Sequence, residues 1–117
     1  MAAPVERLKR RREFLTVAAS RRRCVTPGMV VQFLPADEGK STARVGFTVS
    51  KRVGNAVARN RARRRLREAA AQVMPAHAAA ADYVIVGRSE TVKRKFADLI
   101  ADLETALRRL GAWKEAA

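Results

Sequence analysis

The residues best equipped for chemistry lie between Phe47 and Glu68, in the run FTVSKRVGNAVARNRARRRLRE. Arg59, Arg61, Arg63, Arg64, Arg65 and Arg67 crowd together there, with Asn60 among them. A guanidinium is a planar fork of donors that fits phosphate oxygens in pairs, and it stays charged at any physiological pH. Arg59, Arg63 and Arg67 also stand at i, i+4, where like charges destabilise a helix by about a few tenths of a kcal/mol per pair. Such a cost persists where acids pair the arginines or where an anionic partner matches them. Acids are too few: 25 lysines and arginines face 11 aspartates and glutamates, for a net charge of +14. Most charge runs are merely solvated, but this excess points to a nucleic acid as the standing partner.

A protein catalyst is hard to assemble from what remains. His77 is the single histidine and sits in an alanine-rich stretch, which excludes a two-histidine ribonuclease. Asp37, Glu38, Asp82, Asp98, Asp102 and Glu104 are scattered. Asp98 and Asp102 could share a metal at i, i+4, yet that spacing is commoner on a solvated helix face. Ser20, Ser41, Ser50 and Ser89 have no evident base nearby in sequence. The one cysteine, Cys24, excludes an internal disulfide and a thiolate zinc cluster and reads as a bystander thiol near a strand. No phosphate-cradling P-loop is present, and no small-molecule substrate is indicated. The chain reads as an RNA- or DNA-binding module without a catalyst of its own.

The elements that must carry these residues follow from periodicity. Phe47 and Val49 alternate with Thr48 and Ser50 as the end of a strand over 43–50. The chain then breaks at Val53-Gly54-Asn55, and Asn55 is placed to cap a helix. Ala58, Ala62, Leu66, Ala69 and Val73 give that helix one apolar face, and Pro75 is expected to stop it. Upstream, a helix over 11–20 has Phe14, Leu15 and Ala18 as its apolar edge, and Arg21, Arg22 and Arg23 form a second basic cluster. Residues 29–34 read as a strand with Met29, Val31 and Phe33 on one face and Val30, Gln32 and Leu34 on the other. The short polar link over 36–42 predicts a hairpin to the strand that follows. Residues 82–87 are almost continuously apolar, as in a strand buried on both faces. A basic connection over 88–95 leads to an amphipathic helix marked by Phe96, Leu99, Ile100, Leu103, Leu107 and Leu110 and closed by Gly111. Trp113 either folds back or hangs free.

Together these make one α+β domain over 1–117, a two-layer α/β sandwich, with 1–5 and 112–117 expected to be loose. No run approaches the roughly 20 apolar residues of a membrane span, and the arginine helix has only alanines and one leucine opposite its charge. With no hydrophobic leader at its start, the chain is expected in the cytoplasm, away from any membrane.

Residues 50–68, SKRVGNAVARNRARRRLRE, resemble the signature of the bacterial ribonuclease P protein subunit, whose core is an Arg-Asn-Arg triplet just inside a helix, here Arg59-Asn60-Arg61. The flanks agree by pattern: Arg7-Leu8 with Glu13-Phe14, then Val45-Gly46-Phe47, then Asp82-Tyr83-Val84-Ile85-Val86. The resemblance implies a mixed four-stranded sheet with a left-handed βαβ crossover. It implies that ribonuclease P RNA and precursor tRNA are the partners, and that the 5′ leader is removed by the RNA subunit with Mg2+ bound mainly by that RNA. It implies RNA-subunit contacts at Lys51, Arg52, Asn55, Arg59, Asn60, Arg61, Arg64 and Arg65, and no certain metal ligand on the protein. It implies a leader-binding cleft at Phe14, Val30 and Gln32. Two positions depart from the family pattern, since Ala18 and Gln32 stand where aromatic residues are common, and each change removes a stacking platform. A ribosomal-type RNA-binding protein would share the size and charge but lack the 50–68 run. A nucleoid-type DNA binder would show a β-ribbon arm or a helix-turn-helix, and neither is visible.

Overall fold

A computed structural model describes residues 4–37 and 39–116. In chain order the elements are β1 (Val5–Arg7), α1 (Arg11–Ala19), β2 (Arg23–Val25), β3 (Met29–Pro35), β4 (Ala43–Thr48), a 3-10 turn (Lys51–Val53), α2 (Ala56–His77), β5 (Ala81–Gly87), α3 (Ser89–Lys93) and α4 (Phe96–Arg109). The first three residues, expected to be disordered, lie outside the described residues, as does Glu38.

The strands form one mixed sheet of five, in the order β1-β4-β5-β3-β2. The strand count exceeds the four expected because two short edge strands flank the main ones. β1 runs parallel to β4, and β2 runs antiparallel to β3. Strands of three residues, Val5-Glu6-Arg7 and Arg23-Cys24-Val25, are too short to leave a periodicity to read. β5 lies at the centre, antiparallel to β3 and parallel to β4. Its side chains explain the place: Tyr83 and Ile85 are fully buried on one face, Val84 on the other. The expected hairpin between β3 and β4 is therefore corrected. The two strands do run in opposite directions, but β5 is inserted between them. A strand that is apolar on both faces gains most from a central position.

α2 and α4 cover the face of Val31, Phe33, Val45, Tyr83 and Ile85, and the main core lies there. α2 contributes Ala62, Leu66, Ala69, Val73 and Met74, and α4 contributes Leu99, Leu103, Ala106 and Leu107. Burying a side chain such as Leu66 stabilises by roughly 1.5–3 kcal/mol. α1 covers only part of the opposite face, where Val17 packs with Leu8 and Val84, and Phe14, Leu34 and Val86 complete a smaller cluster. The apolar edge of α1 is thus Phe14 and Val17. Leu15 is 54% exposed and Ala18 is exposed, contrary to the sequence expectation.

Pro75 does not stop α2, which continues to His77. A proline this close to the C-terminus costs the helix a single bond, the one the Ala71 carbonyl would accept, and Ala71 is solvent-exposed. His77 is no idle loop residue. Its ring stacks on Trp113 at 4.0 Å between centroids, and the Arg108 guanidinium lies 3.9 Å from the Trp113 ring on α4's side. Trp113 therefore folds back, pairing with Ala78 in a single bridge, and the neighbouring Ala112 is buried.

Asp102 is likewise not on a solvated face. It is buried, accepts from Arg94 Nε at 2.6 Å and Arg94 Nη2 at 3.0 Å, and accepts the Gly28 amide at 3.0 Å. The Asp98–Asp102 metal reading falls, because Asp102's oxygens are taken by Gly28, in the loop before β3, and by Arg94, between α3 and α4. Cys24 is buried in β2 against the main core.

Candidate nucleic-acid interface

The turn into α2 is built by local chemistry. Gly54 has φ +147°, a region that disfavours side chains, and a Cβ there would stand 2.9 Å from the Ala58 Cβ. Asn55 then caps the helix, its Oδ1 accepting the Ala58 amide at 2.9 Å. Lys51 and Arg52 are exposed on the 3-10 turn just before, so their charges adjoin the first turn of α2.

Along α2, Asn60, Arg61 and Arg64 are exposed, and no carboxylate pairs with either arginine among the described residues. Asn60 Oδ1 accepts from Arg63 Nη1 at 3.0 Å, so the amide inside the Arg-Asn-Arg triplet orients a guanidinium one turn on. Arg59 is half-buried, with a buried Nε that has no hydrogen-bond partner among the described residues. Arg65 behaves differently. Its Nε donates to the Thr91 carbonyl at 3.0 Å and its Nη2 donates to the Arg94 carbonyl, which clamps α2 to the connection between α3 and α4. The structure thus brings Lys51, Arg52, Asn55, Asn60, Arg61 and Arg64 to one exposed surface and commits most of Arg65 to the protein itself. Val57, 76% exposed amid these charges, is a member of that surface that sequence reading passed over.

Phe14, Val30 and Gln32 share the other face of the sheet. α1 crosses the row Gly46, Val84, Gln32, which the strand registers place side by side. Phe14 sits over Gly46, where a Cβ would meet the ring at 2.4 Å. Gln32 lies two strands away, roughly 10 Å at the usual strand spacing. Gln32 and Ala18 line a depression of about 330 Å³ together with Arg21, Arg22 and Arg23. Of these, Arg22 is partly committed, since Nη2 donates to the Leu110 carbonyl at 3.0 Å and the guanidinium lies over Phe33. In the next row, Val25, Val30, Val86 and Thr48, the two central valines are half-buried and the two outer residues are exposed. Val25, 50% exposed, and Val86 extend the floor beyond the residues expected from sequence. In β2 only one alternation is visible, too little to assign a face.

An ion network ties this face together. Arg44 donates through Nε and Nη2 to buried Asp82 at 2.8 and 2.7 Å and through Nη1 to Glu13 at 2.6 Å. Glu13 also accepts the amides of Arg10 and Lys9, each at 2.9 Å. Those two amides, with Arg44 behind them, hold its carboxyl down at about 2, well below the usual glutamate value. Partnered to two carboxylates, Arg44 is held charged even more firmly than an ordinary arginine.

A sheet with an arginine surface at α2 and a second, arginine-rimmed hollow behind it defines a small basic α+β protein made to meet a polyanion. Residues 3–111 match the model of the Ribonuclease P family. The chain is 58% identical over 116 residues to the ribonuclease P protein component of Paramagnetospirillum magneticum, covering 96% of this chain and 87% of that one. It is 49% identical over 112 residues to that of Gluconacetobacter diazotrophicus, covering 95% and 96%. Its fold is like that of the Staphylococcus aureus RNase P protein, with a TM-score of 0.77 at 24% identity, over 92% of this chain and 97% of that one. The chain belongs to the ribonuclease P protein family. Membership sets aside the ribosomal-type and nucleoid-type readings.

Proposed function

We propose that the chain works in the cytoplasm as the non-catalytic protein subunit of ribonuclease P, binding the catalytic RNA and the 5′ leader of precursor tRNA so that the leader is removed. The observation that carries this is the exposed surface of Lys51, Arg52, Asn60, Arg61 and Arg64, unmatched by acids among the described residues and pinned by the Asn55 cap. On this reading that surface holds the RNA subunit. Phe14, Val30 and Gln32, with the hollow beside Ala18, hold the leader on the opposite face of the sheet. The protein's residues bind and orient phosphates and bases.

Magnesium would supply activation of water toward the phosphodiester. Among the described residues no three His, Cys, Asp or Glu side chains come together as a metal cage, so the protein's donor set does not fit such a site. Phosphates of the RNA are the donors that suit it.

Reconstitution tests this reading. The protein added to a bacterial ribonuclease P RNA should speed cleavage of precursor tRNA over the RNA alone at the same magnesium concentration. Protein without RNA should leave the precursor intact. Cleavage by RNA-free protein, surviving a contaminant control, would overturn the assignment of chemistry to the RNA.

A further inference from the structure

On the α2 side of the sheet, at its β1 edge, lies a cavity of about 220 Å³ that neither proposed RNA surface uses. Val45 and the half-buried ring of Phe47 line it from β4, and Ala70 and Ala71 line it from α2. The two alanines leave the space, since larger side chains there would fill it. Arg7 and Arg67 line it as well, no carboxylate does, and neither arginine makes an ion pair among the described residues. The guanidinium of the exposed Arg7 lies over the Phe47 ring at 5.2 Å from its centroid.

The volume is below the roughly 300–1,000 Å³ of sites for drug-sized ligands, so the occupant is a fragment on the scale of one ring system. Proteins that read RNA outside its helices take unstacked bases onto aromatic faces and arginine planes, with cations on the adjoining phosphates. Arg67 also continues the row Arg59, Arg63 at steps of four along α2, so the cavity lies at the end of a cationic track. We propose that this cavity receives a single unstacked nucleotide of the RNA subunit, its base against Phe47 and its phosphate between Arg7 and Arg67. The proposal rests on the RNA-binding role given above.

Phe47→Leu and Ala71→Leu test it in the full-length protein bound to ribonuclease P RNA. The first removes the ring while keeping an apolar side chain, and the second fills the cavity from an exposed helix position. Neither alters charge. Each should weaken RNA binding by about tenfold, the scale of one lost base contact. The dependence of log affinity on log salt should keep its slope, because no phosphate contact is removed directly. One nucleotide of the RNA should also lose protection from 2′-hydroxyl acylation in the variant complexes. Melting temperatures report whether Phe47→Leu harms the fold, in which case Ala71→Leu decides. Arg61→Ala serves as the control for the RNA-binding role itself. If Arg61→Ala weakens binding while both cavity variants leave affinity and protection unchanged, the nucleotide site is wrong and the RNA-binding role survives. If the wild-type protein shows no salt-dependent RNA binding, both are overturned.

Discussion

The ring of Phe14 rests on the bare backbone of Gly46, so closely that a Cβ on that glycine would stand 2.4 Å from Phe14 Cζ. This contact sets how near α1 lies to β4 while leaving Phe14 only half-buried. Gly46→Ala should therefore push Phe14 and α1 outward. The expected result is a loss of stability typical of overpacking, about 1–3 kcal/mol, read as a lower melting temperature, and weaker binding of precursor tRNA by the holoenzyme. Phe14→Ala separates the two effects. A leader contact predicts loss for precursor tRNA and none for mature tRNA, and equal loss on both would make Phe14 a packing residue only.

Glu13 links the start of α1 to Arg44, and its carboxyl is held near 2 from an ordinary value of 4.5. A depressed carboxyl stabilises the fold where it is ionised in both states, above about pH 4.5, and that contribution is lost as pH falls toward 2. Thermal unfolding followed across this window should show a fall in stability that Glu13→Gln makes shallower. Identical pH profiles for the two proteins would mean that the amides of Lys9 and Arg10 and the Arg44 side chain do not hold this carboxylate in solution.

The two arginines Arg61 and Arg65 should part company under mutation. Arg61 is exposed, so Arg61→Ala should leave the melting temperature unchanged and flatten the salt dependence of RNA binding by about one unit. Arg65 donates to two main-chain carbonyls, and Arg65→Ala leaves both without that donor, at a cost on the order of 1–3 kcal/mol of stability. Reversed behaviour would place the RNA on the α3 side of α2.

These cases show where sequence carries the fold and where it does not. The turn at Gly54, the Asn55 cap and the apolar face through Leu66 are local, so their residues are enough to read them. The centrality of β5 is legible in its two-faced apolarity, but its insertion between β3 and β4 is not, because a short polar link suits a hairpin equally well. Arg65 looks like its neighbours because its acceptors, Thr91 and Arg94, are main-chain groups 26 and 29 residues away. Asp102 looked solvated for a similar reason: Arg94 and Gly28, which take its oxygens, stand outside its helical neighbourhood. The Arg-Asn-Arg triplet was legible as chemistry, and the Asn60–Arg63 hydrogen bond gives that asparagine a visible task.

Gln32 is the position where a gain of function is expected. It stands half-buried on β3, between Arg23 of β2 and Val84 of β5, and lines the 330 Å³ depression beside Ala18. A tyrosine is well suited to a strand and would extend into that hollow without displacing a packed side chain. The hollow would then offer an aromatic face next to Arg21 and Arg23, which is the combination that holds single-stranded RNA. Gln32→Tyr should tighten holoenzyme binding of precursor tRNA by roughly fivefold or more, as one stacked base contributes on the order of 1–3 kcal/mol. Mature tRNA, which has no leader, should bind as before. Adding Arg23→Ala should reverse much of the gain, whereas the same change in Arg22, already engaged with Leu110 and Phe33, should act mainly through stability. Titration of both tRNAs against the wild-type and variant holoenzymes reads all of this directly. Tightening of both substrates alike, or of neither, would show that the leader does not pass over Gln32.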